Sequence, residues 1–141
     1  MECRIELEEE PSAADREAVL AGLADFNASN GYPADTRALA VLLRDGAGRT
    51  IGGLWGKTGY GWLFVEFLTV PEELKGRGLG RGLMAAAEQA AAERGCVGAW
   101  LTTFSFQAKG FYEKLGYRAF GELEHSPGEN VRIFMRKRFP G

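Results

Sequence analysis

A nine-residue segment near the middle of the chain constrains the fold most. Residues 62–70 are apolar at both strand parities, with Glu66 as their single charge. Successive strand residues point to opposite faces of a sheet, so this pattern predicts a central strand that is covered on both faces. An Ala-rich helical pattern then runs to Arg94, and a second apolar segment follows at 97–104. Strand, helix and strand in this order predict a crossover that makes the two strands parallel neighbours.

The other elements are predicted from hydrophobic periodicity and turn residues. The first predicted helix has apolar residues at helical spacing, namely Val19, Leu20, Leu23 and Phe26. The remaining predictions are strands at 4–8, 39–43, 51–57, 117–123 and 131–139 and helices at 12–28 and 107–115. Because no repeat, low-complexity tract or linker divides the sequence, we expect residues 1–141 to form a single domain.

Composition limits the possible classes of protein. The chain is 45% apolar and 26% charged, as in globular domains. It has neither an apolar segment long enough to span a bilayer nor a basic, apolar signal peptide, so we expect a cytoplasmic protein without membrane contact. The sequence pI near 5.5 argues against nucleic-acid binding. Residues 49–141 nevertheless carry 13 basic and 9 acidic residues, which would suit an anionic cofactor, although scattered solvated charge explains the same count.

A metal site is not expected. Cys3 and Cys96 lie far apart and lack CxxC spacing, so both are predicted to be free thiols. The lone His125 lies in a turn-like stretch and is predicted to be a surface residue.

Glycines at 76, 78, 80 and 82 precede the Ala-rich helix. Without side chains, their backbone N–H groups can approach an anion, and a helix N-terminus favours negative charge. Lys75, Arg77 and Arg81 would add positive charge. A flexible turn that allows close helix packing is the alternative explanation. Neither a Gly-Lys-Ser/Thr ending nor a GxGxxG spacing is present, which disfavours the common nucleotide-binding loops.

Two segments resemble the GNAT superfamily of acetyl-CoA-dependent N-acetyltransferases. Val70, four residues and then Lys75-Gly76-Arg77-Gly78-Leu79-Gly80 resemble its pyrophosphate loop, and residues 108–117 resemble its later Tyr-Glu-Lys-x-Gly-Phe/Tyr segment. Lys75 replaces the usual Arg or Gln, and Ser105 stands where Asn is frequent. The resemblance implies an α/β fold with a mixed sheet of six to seven strands, a central parallel pair and flanking helices.

The resemblance also implies a binding site for acetyl-CoA. The backbones of Leu68 and Val70 would pair with the pantetheine arm, and the loop would hold the pyrophosphate. The acetyl group would lie between the two parallel strands. The implied cofactor-binding set is Leu68, Val70, Lys75, Gly76, Arg77, Gly78, Gly80 and Arg81.

Two side chains are candidates for proton transfer. Expulsion of a thiolate from a thioester benefits from a proton donor, and the resemblance favours Tyr112 as that acid; packing on the sheet is the alternative. A carboxylate within a buried strand is costly unless it is paired, hydrated or protonated, so Glu66 is the candidate base. Its spacing before Val70 is similar to that of the base candidate in polyamine acetyltransferases. A structural ion pair with a residue such as Lys57 is the alternative.

The predicted activity is transfer of acetyl to a primary amine by direct attack in a ternary complex. The acceptor could be a small-molecule amine or a peptide or protein amine. A CoA-binding regulatory module without turnover and a toxin-like acetyltransferase of aminoacyl-tRNA are the alternatives. Residues proposed to select the acceptor are Asn27, Asn30, Tyr32 and Trp55.

The end of the chain predicts a homodimer. Residues 133–135 are apolar at both parities, and a hairpin that ended the sheet would leave these side chains on an exposed edge. A partner subunit would cover them, and cover from within the same chain is the alternative.

Overall fold

The computed structural model describes residues 1–141 and separates them into two units, Met1–Ala34 and Asp35–Gly141. The first unit contains helix α1, Ala13–Ser29. A capping box begins the helix: Ser12 Oγ accepts a hydrogen bond from the Asp15 N–H at 3.0 Å, and the Asp15 carboxylate accepts one from the Ser12 N–H at 3.0 Å. These bonds satisfy backbone donors that the first helical turn leaves unpaired.

The predicted strand at 4–8 is wrong. Residues 1–8 form neither helix nor strand and are exposed. A strand requires a neighbouring strand that pairs with its N–H and C=O groups, and no strand pairs with residues 4–8. Helix α1 forms as predicted, yet none of its residues is buried, and its four recurring apolar side chains are exposed.

The second unit contains one six-stranded sheet of order β1-β2-β3-β4-β6-β5. Its strands are β1 Arg37–Arg44, β2 Thr50–Gly59, β3 Trp62–Thr69, β4 Gly98–Phe104, β5 Arg118–Leu123 and β6 Arg132–Arg138. Strands β3 and β4 pair in parallel, and the other neighbours are antiparallel. The predicted mixed α/β sheet with a central parallel pair is therefore confirmed.

A short 3-10 helix, Glu72–Leu74, and helix α2, Leu79–Glu93, follow β3. Helix α3, Lys109–Lys114, follows β4. Helix α2 contacts strands β1 to β4, and its small side chains permit close approach to the sheet. The core they form contains Leu39, Leu54, Leu63, Val65, Leu83, Met84, Ala87, Ala91, Ala99, Leu101, Tyr112, Tyr117, Ile133 and Met135.

The predicted position of residues 133–135 on an exposed edge is wrong. Strand β6 lies between β4 and β5, and β5 is the edge strand at this end of the sheet. Ile133 and Met135 are buried in the core, whereas Phe134 lies on the opposite face, where its ring meets Phe120 at a centroid distance of 6.2 Å. Strand β6 is therefore paired on both sides, and its apolar residues serve the core on one face and the Phe120–Phe134 contact on the other.

Candidate active site

The parallel strands β3 and β4 diverge part-way along their length. Their pairing runs from Trp62 opposite Gly98 to Val65 opposite Leu101 and then stops. Beyond this point β3 remains paired with β2, and β4 remains paired with β6. The divergence opens a wedge in the sheet at the carboxyl end of both strands, where ligands bind in open α/β sheets.

A β-bulge at Glu66 accompanies the divergence. Trp55 pairs with Phe67 and Gly56 pairs with Val65, so Glu66 is an extra residue with no partner on β2. A bulge bends its strand and increases the local twist. Gly56 is required here, because a Cβ at this position would overlap the carbonyl oxygen of Phe64. The bulge therefore depends on a close approach of two backbones.

A cavity of about 540 Å³ lies beside the glycine loop. Gly76 and Gly78 have φ angles of +83° and +78°, in the left-handed region that other residues rarely adopt. Helix α2 starts directly after Gly78, and no side chain caps its first N–H groups. The cavity is lined by Leu68, Thr69, Val70, Leu74, Lys75, Gly76, Gly78, Leu79, Gly80, Arg81, Ala108, Phe111 and Tyr112.

The loop leaves room for an anionic ligand. A Cβ added at Gly76 or Gly78 would meet no atom within 4 Å, so bare backbone borders open space there. The uncapped N–H groups, together with Lys75 and Arg81, provide the donors and positive charge that a pyrophosphate requires. These residues fit acetyl-CoA.

Most of the predicted cofactor-binding residues lie at this cavity. Seven of the eight line this cavity, whereas Arg77 does not. Lys75 forms an exposed ion pair with Glu72, with 2.8 Å between Nζ and Oε2. Residues that the sequence argument missed are Thr69, Leu74, Leu79, Ala108 and Phe111. Leu79 lies between Gly78 and Gly80 and Leu74 directly precedes Lys75, so their positions next to the recognised loop gave the available signal.

A second cavity, of about 460 Å³, occupies the wedge between β3 and β4. Its lining comprises Val65, Glu66, Phe67, Leu68, Thr69, Leu101, Thr102, Thr103, Gln107, Ala108 and Tyr112. The candidate base Glu66 and the candidate acid Tyr112 thus line the same cavity. Tyr112 also lines the cavity beside the glycine loop, so it lies where the two cavities adjoin.

Glu66 is less buried than its strand position predicts. Its side chain is 28% exposed, and Oε1 lies 3.8 Å from the Nζ atom of Lys57, which is half exposed. The ion pair that formed the structural alternative is therefore present. A pair this long and this hydrated contributes little to stability, so Glu66 remains available to a ligand in the wedge.

The Tyr112 side chain, on α3, is buried in the hydrophobic core. Its ring packs edge-on against Phe111 and Tyr117, at centroid distances of 5.1 and 6.0 Å. Burial raises the pKa of the Tyr112 hydroxyl above its ordinary value. The phenol therefore keeps its proton through neutral and moderately alkaline pH.

The residues proposed to select the acceptor separate into two groups. Trp55 is half exposed on β2, beside the bulge. Asn27, Asn30 and Tyr32 belong to the first unit, where the Asn30 side-chain amide donates to the Phe26 carbonyl oxygen at 2.9 Å. That bond gives Asn30 a role in ending α1.

Comparison with known sequences identifies the family. The family described as Acetyltransferase (GNAT) family matches residues 3–117, which is most of the chain. This chain belongs to that family. The GNAT resemblance drawn from the glycine loop and from residues 108–117 is confirmed, and this GNAT protein is an acetyl-CoA-dependent acyltransferase.

Individual relatives agree with this assignment. The GNAT protein is 36% identical over 118 residues to acetyltransferase Atu2258 of Agrobacterium fabrum, covering 83% of this chain and 85% of the relative. It is 38% identical over 92 residues to the blasticidin-S acetyltransferase of Streptomyces morookaense, covering 64% and 68%. The crystal structure of an acetyltransferase from Bacillus cereus has a TM-score of 0.80 at 28% identity, covering 95% and 98%.

No helix is both long and apolar enough to cross a membrane. No cluster of three or more His, Cys, Asp or Glu side chains could hold a metal ion, and Cys3 and Cys96 are both free thiols.

We predict that Gly78→Val weakens coenzyme A binding at least about tenfold, a loss of ~1.4 kcal/mol. Valine is strained at a φ of +78°, and its side chain would fill the open space over the N–H groups of α2. Isothermal titration calorimetry measures the change. Gly82→Ala is the matched control, because Gly82 lies within α2, has no atom near its Cβ position and does not line the cavity. Equal affinities of Gly78→Val and the wild type would contradict the loop assignment.

Proposed function

We propose that this GNAT protein transfers acetyl from acetyl-CoA to a primary amine by direct attack within a ternary complex. The observation that carries the proposal is that Glu66 and Tyr112 line one wedge-shaped cavity, which adjoins the cavity of the glycine loop. Amine attack on a thioester benefits from a base that deprotonates the amine and an acid that protonates the leaving thiolate. Acetyl-CoA supplies the activated acetyl group.

The cofactor residues have separate proposed roles. The N–H groups of Gly78, Gly80 and Arg81 bind the pyrophosphate, with Lys75, Gly76 and Arg77 shaping the loop and adding charge. The backbones of Leu68 and Val70 pair with the pantetheine arm. Strand β3 is free to do so because its pairing with β4 ends at Val65.

Glu66 and Tyr112 carry out the proton transfers in this proposal. Glu66 accepts a proton from the ammonium form of the acceptor, directly or through water, and the neutral amine then attacks the acetyl carbonyl carbon. Attack forms the carbon–nitrogen bond and leaves a second surplus proton on the nitrogen. The carbon–sulfur bond then breaks, Tyr112 donates its proton to the departing sulfur, and the nitrogen proton, passed directly or through water, restores the Tyr112 hydroxyl. The exposure of Glu66 to the wedge and the raised pKa of Tyr112 support these roles.

We propose a small-molecule amine as the acceptor. The similarity to a blasticidin-S acetyltransferase favours this class over a peptide or protein amine. A regulatory module without turnover would have no need for an acid and a base in one cavity. A toxin-like acetyltransferase of aminoacyl-tRNA would need a basic face, whereas the net charge is −2.

We also propose that residues 1–141 act as one cytoplasmic acetyltransferase domain and that the protein is a homodimer. All residues of the edge strand β5 are exposed, including Phe120 and Leu123, which are about half exposed. Apolar side chains along an unpaired edge favour coverage by a partner. Light scattering should give about twice the 15.4 kDa chain mass, and the mass of a monomer at working concentration would contradict the dimer.

A panel of amines tests the proposed function. Small-molecule amines, amino acids, peptides with free N-termini and polyamines are incubated with acetyl-CoA, and the released thiol is measured. We expect release with at least one small amine and none above background with peptides. Tight coenzyme A binding without release for any amine would favour the regulatory module.

A further inference from the structure

A charged side chain lies about two thirds of the way along α2, on the side that faces the sheet. The Glu88 side chain is 15% exposed. Its Oε2 atom accepts a hydrogen bond from the Tyr117 hydroxyl at 2.8 Å, and its Oε1 atom lies 2.8 Å from the Lys137 Nζ. Each carboxylate oxygen thus has a partner, as a charge in this position requires.

Glu88 connects three elements of the second unit. It belongs to α2, Tyr117 follows the C-terminus of α3, and Lys137 belongs to β6. The Lys137 ammonium also lies 5.8 Å from the centre of the Tyr117 ring. Burial, reinforced by the Glu88 carboxylate, raises the pKa of the Tyr117 hydroxyl well above its ordinary range, so this hydroxyl remains a donor at every working pH.

The Glu88–Tyr117 hydrogen bond fixes one end of the segment that carries Tyr112. The other end is fixed by Phe111, whose ring lies so close to α2 that a Cβ at Gly80 would approach it to 3.2 Å. Gly80 and Glu88 are about 12 Å apart along the helix axis, at ~1.5 Å of rise per residue. Two separated attachments fix both the distance and the rotation of a segment, whereas a single attachment leaves it free to turn.

Tyr112 lies between these two attachments. Its ring contacts both Phe111 and Tyr117, and its carbonyl oxygen accepts a hydrogen bond from the Tyr117 N–H at 3.0 Å. A displacement of Tyr117 would therefore move the backbone and the ring of Tyr112 together. The N-terminal end of the same α2 helix forms part of the proposed pyrophosphate site.

We propose that Glu88 is a positioning residue: through Tyr117 it holds the Tyr112 hydroxyl at a fixed place relative to the coenzyme A site on the same helix. This inference rests on the proposed function, in which Tyr112 is the acid. Positioning matters because a misplacement of about 1 Å in a catalytic group can reduce the rate about a hundredfold. Lys137 neutralises Glu88 and keeps its carboxylate directed at Tyr117.

Tyr117→Phe and a pair of Glu88 variants test the inference. Tyr117→Phe keeps the ring and removes the hydroxyl, and Glu88→Ala removes the acceptor; each should lower kcat at least about tenfold while the Kd of coenzyme A changes less than about twofold. Glu88→Gln retains an oxygen that accepts from Tyr117, so it should recover most of kcat. Gln89→Ala, an exposed change on the same helix, is the control and should leave kcat unchanged.

A double variant distinguishes the positioning of Tyr112 from a general structural role of Glu88 and Tyr117. If Glu88 acts through Tyr112, Tyr117→Phe should lower kcat less than about twofold once Tyr112→Phe is present, because no hydroxyl is left to misplace. An equal loss in both backgrounds would overturn the inference. So would a wild-type kcat in Tyr117→Phe, which is the informative variant if Glu88→Ala does not fold.

A titration that needs no turnover keeps this test separate from the amine panel. The ring signal of Tyr112 in NMR, identified by its loss in Tyr112→Phe, should titrate at a lower pH in Tyr117→Phe than in the wild type, because a loosened ring is better hydrated. An unchanged titration would overturn the inference even for an active enzyme. A shifted titration in a protein that acetylates no amine would instead show that the proposed function fails while the connection from Glu88 to Tyr112 stands.

Discussion

Glu66→Gln is expected to lower kcat/KM near neutral pH by at least about a hundredfold, the lower end of the range for a general base. The amide cannot accept the proton of an ammonium substrate. The Kd of coenzyme A should change little, since Glu66 does not line the cavity beside the glycine loop.

Lys57→Met is the matched control for Glu66→Gln. Both changes break the ion pair of 3.8 Å, but only one removes the carboxylate. If the pair is purely structural, both variants should lose a similar amount of thermal stability and keep a kcat/KM close to that of the wild type. A loss of kcat/KM in Glu66→Gln no larger than that in Lys57→Met would show that Glu66 is not the base.

Tyr112→Phe should lower kcat about a hundredfold with a good amine substrate, because the phenol proton that the departing thiolate needs is removed. The ring and its contacts with Phe111 and Tyr117 are kept, so the melting temperature and the Kd of coenzyme A should stay close to those of the wild type. Steady-state kinetics and calorimetry measure the two quantities. A kcat within about twofold of the wild type would mean that water protonates the thiolate and that Tyr112 is a packing residue.

The pKa of Tyr112 sets the pH above which its hydroxyl can no longer donate a proton. Burial raises that pKa above the ordinary value of about 10, so the donor form persists through neutral and moderately alkaline pH. We therefore expect no alkaline loss of kcat from Tyr112 below about pH 10. The same shift means that the folded chain binds this proton more tightly than the unfolded chain, so its contribution to stability is present below about pH 10 and is lost as the pH rises further.

The parts of the site that could be predicted from sequence are those encoded by neighbouring residues. The glycines of the loop, the Ala-rich helix after them and the apolar runs of β3 and β4 lie within one continuous stretch, and each has its own local pattern. The parallel pair then followed from the connection between these strands. The position of Tyr112 came from the resemblance rather than from any local pattern.

The parts that could not be predicted depend on pairings between distant residues. The bulge at Glu66 exists only in the register between β2 and β3, which hydrophobic periodicity does not specify, and full burial of Glu66 was therefore expected. Strand β6 looked like an edge because the order β4-β6-β5 is not the order of the sequence. The partners of Glu88 are 29 and 49 residues away, so no spacing rule could have found them.

Because of the bulge, the opening of the wedge depends on the number of residues in β3. Strand β3 has one residue more than β2 can pair, and that surplus residue is Glu66. A β3 shortened by one residue could align with β2 throughout, and the bend that accompanies its departure from β4 would have no cause. The wedge would then lose both its entrance and its carboxylate in a single deletion. Insertions and deletions in this strand are therefore a more severe class of change for this enzyme than substitutions at the same positions.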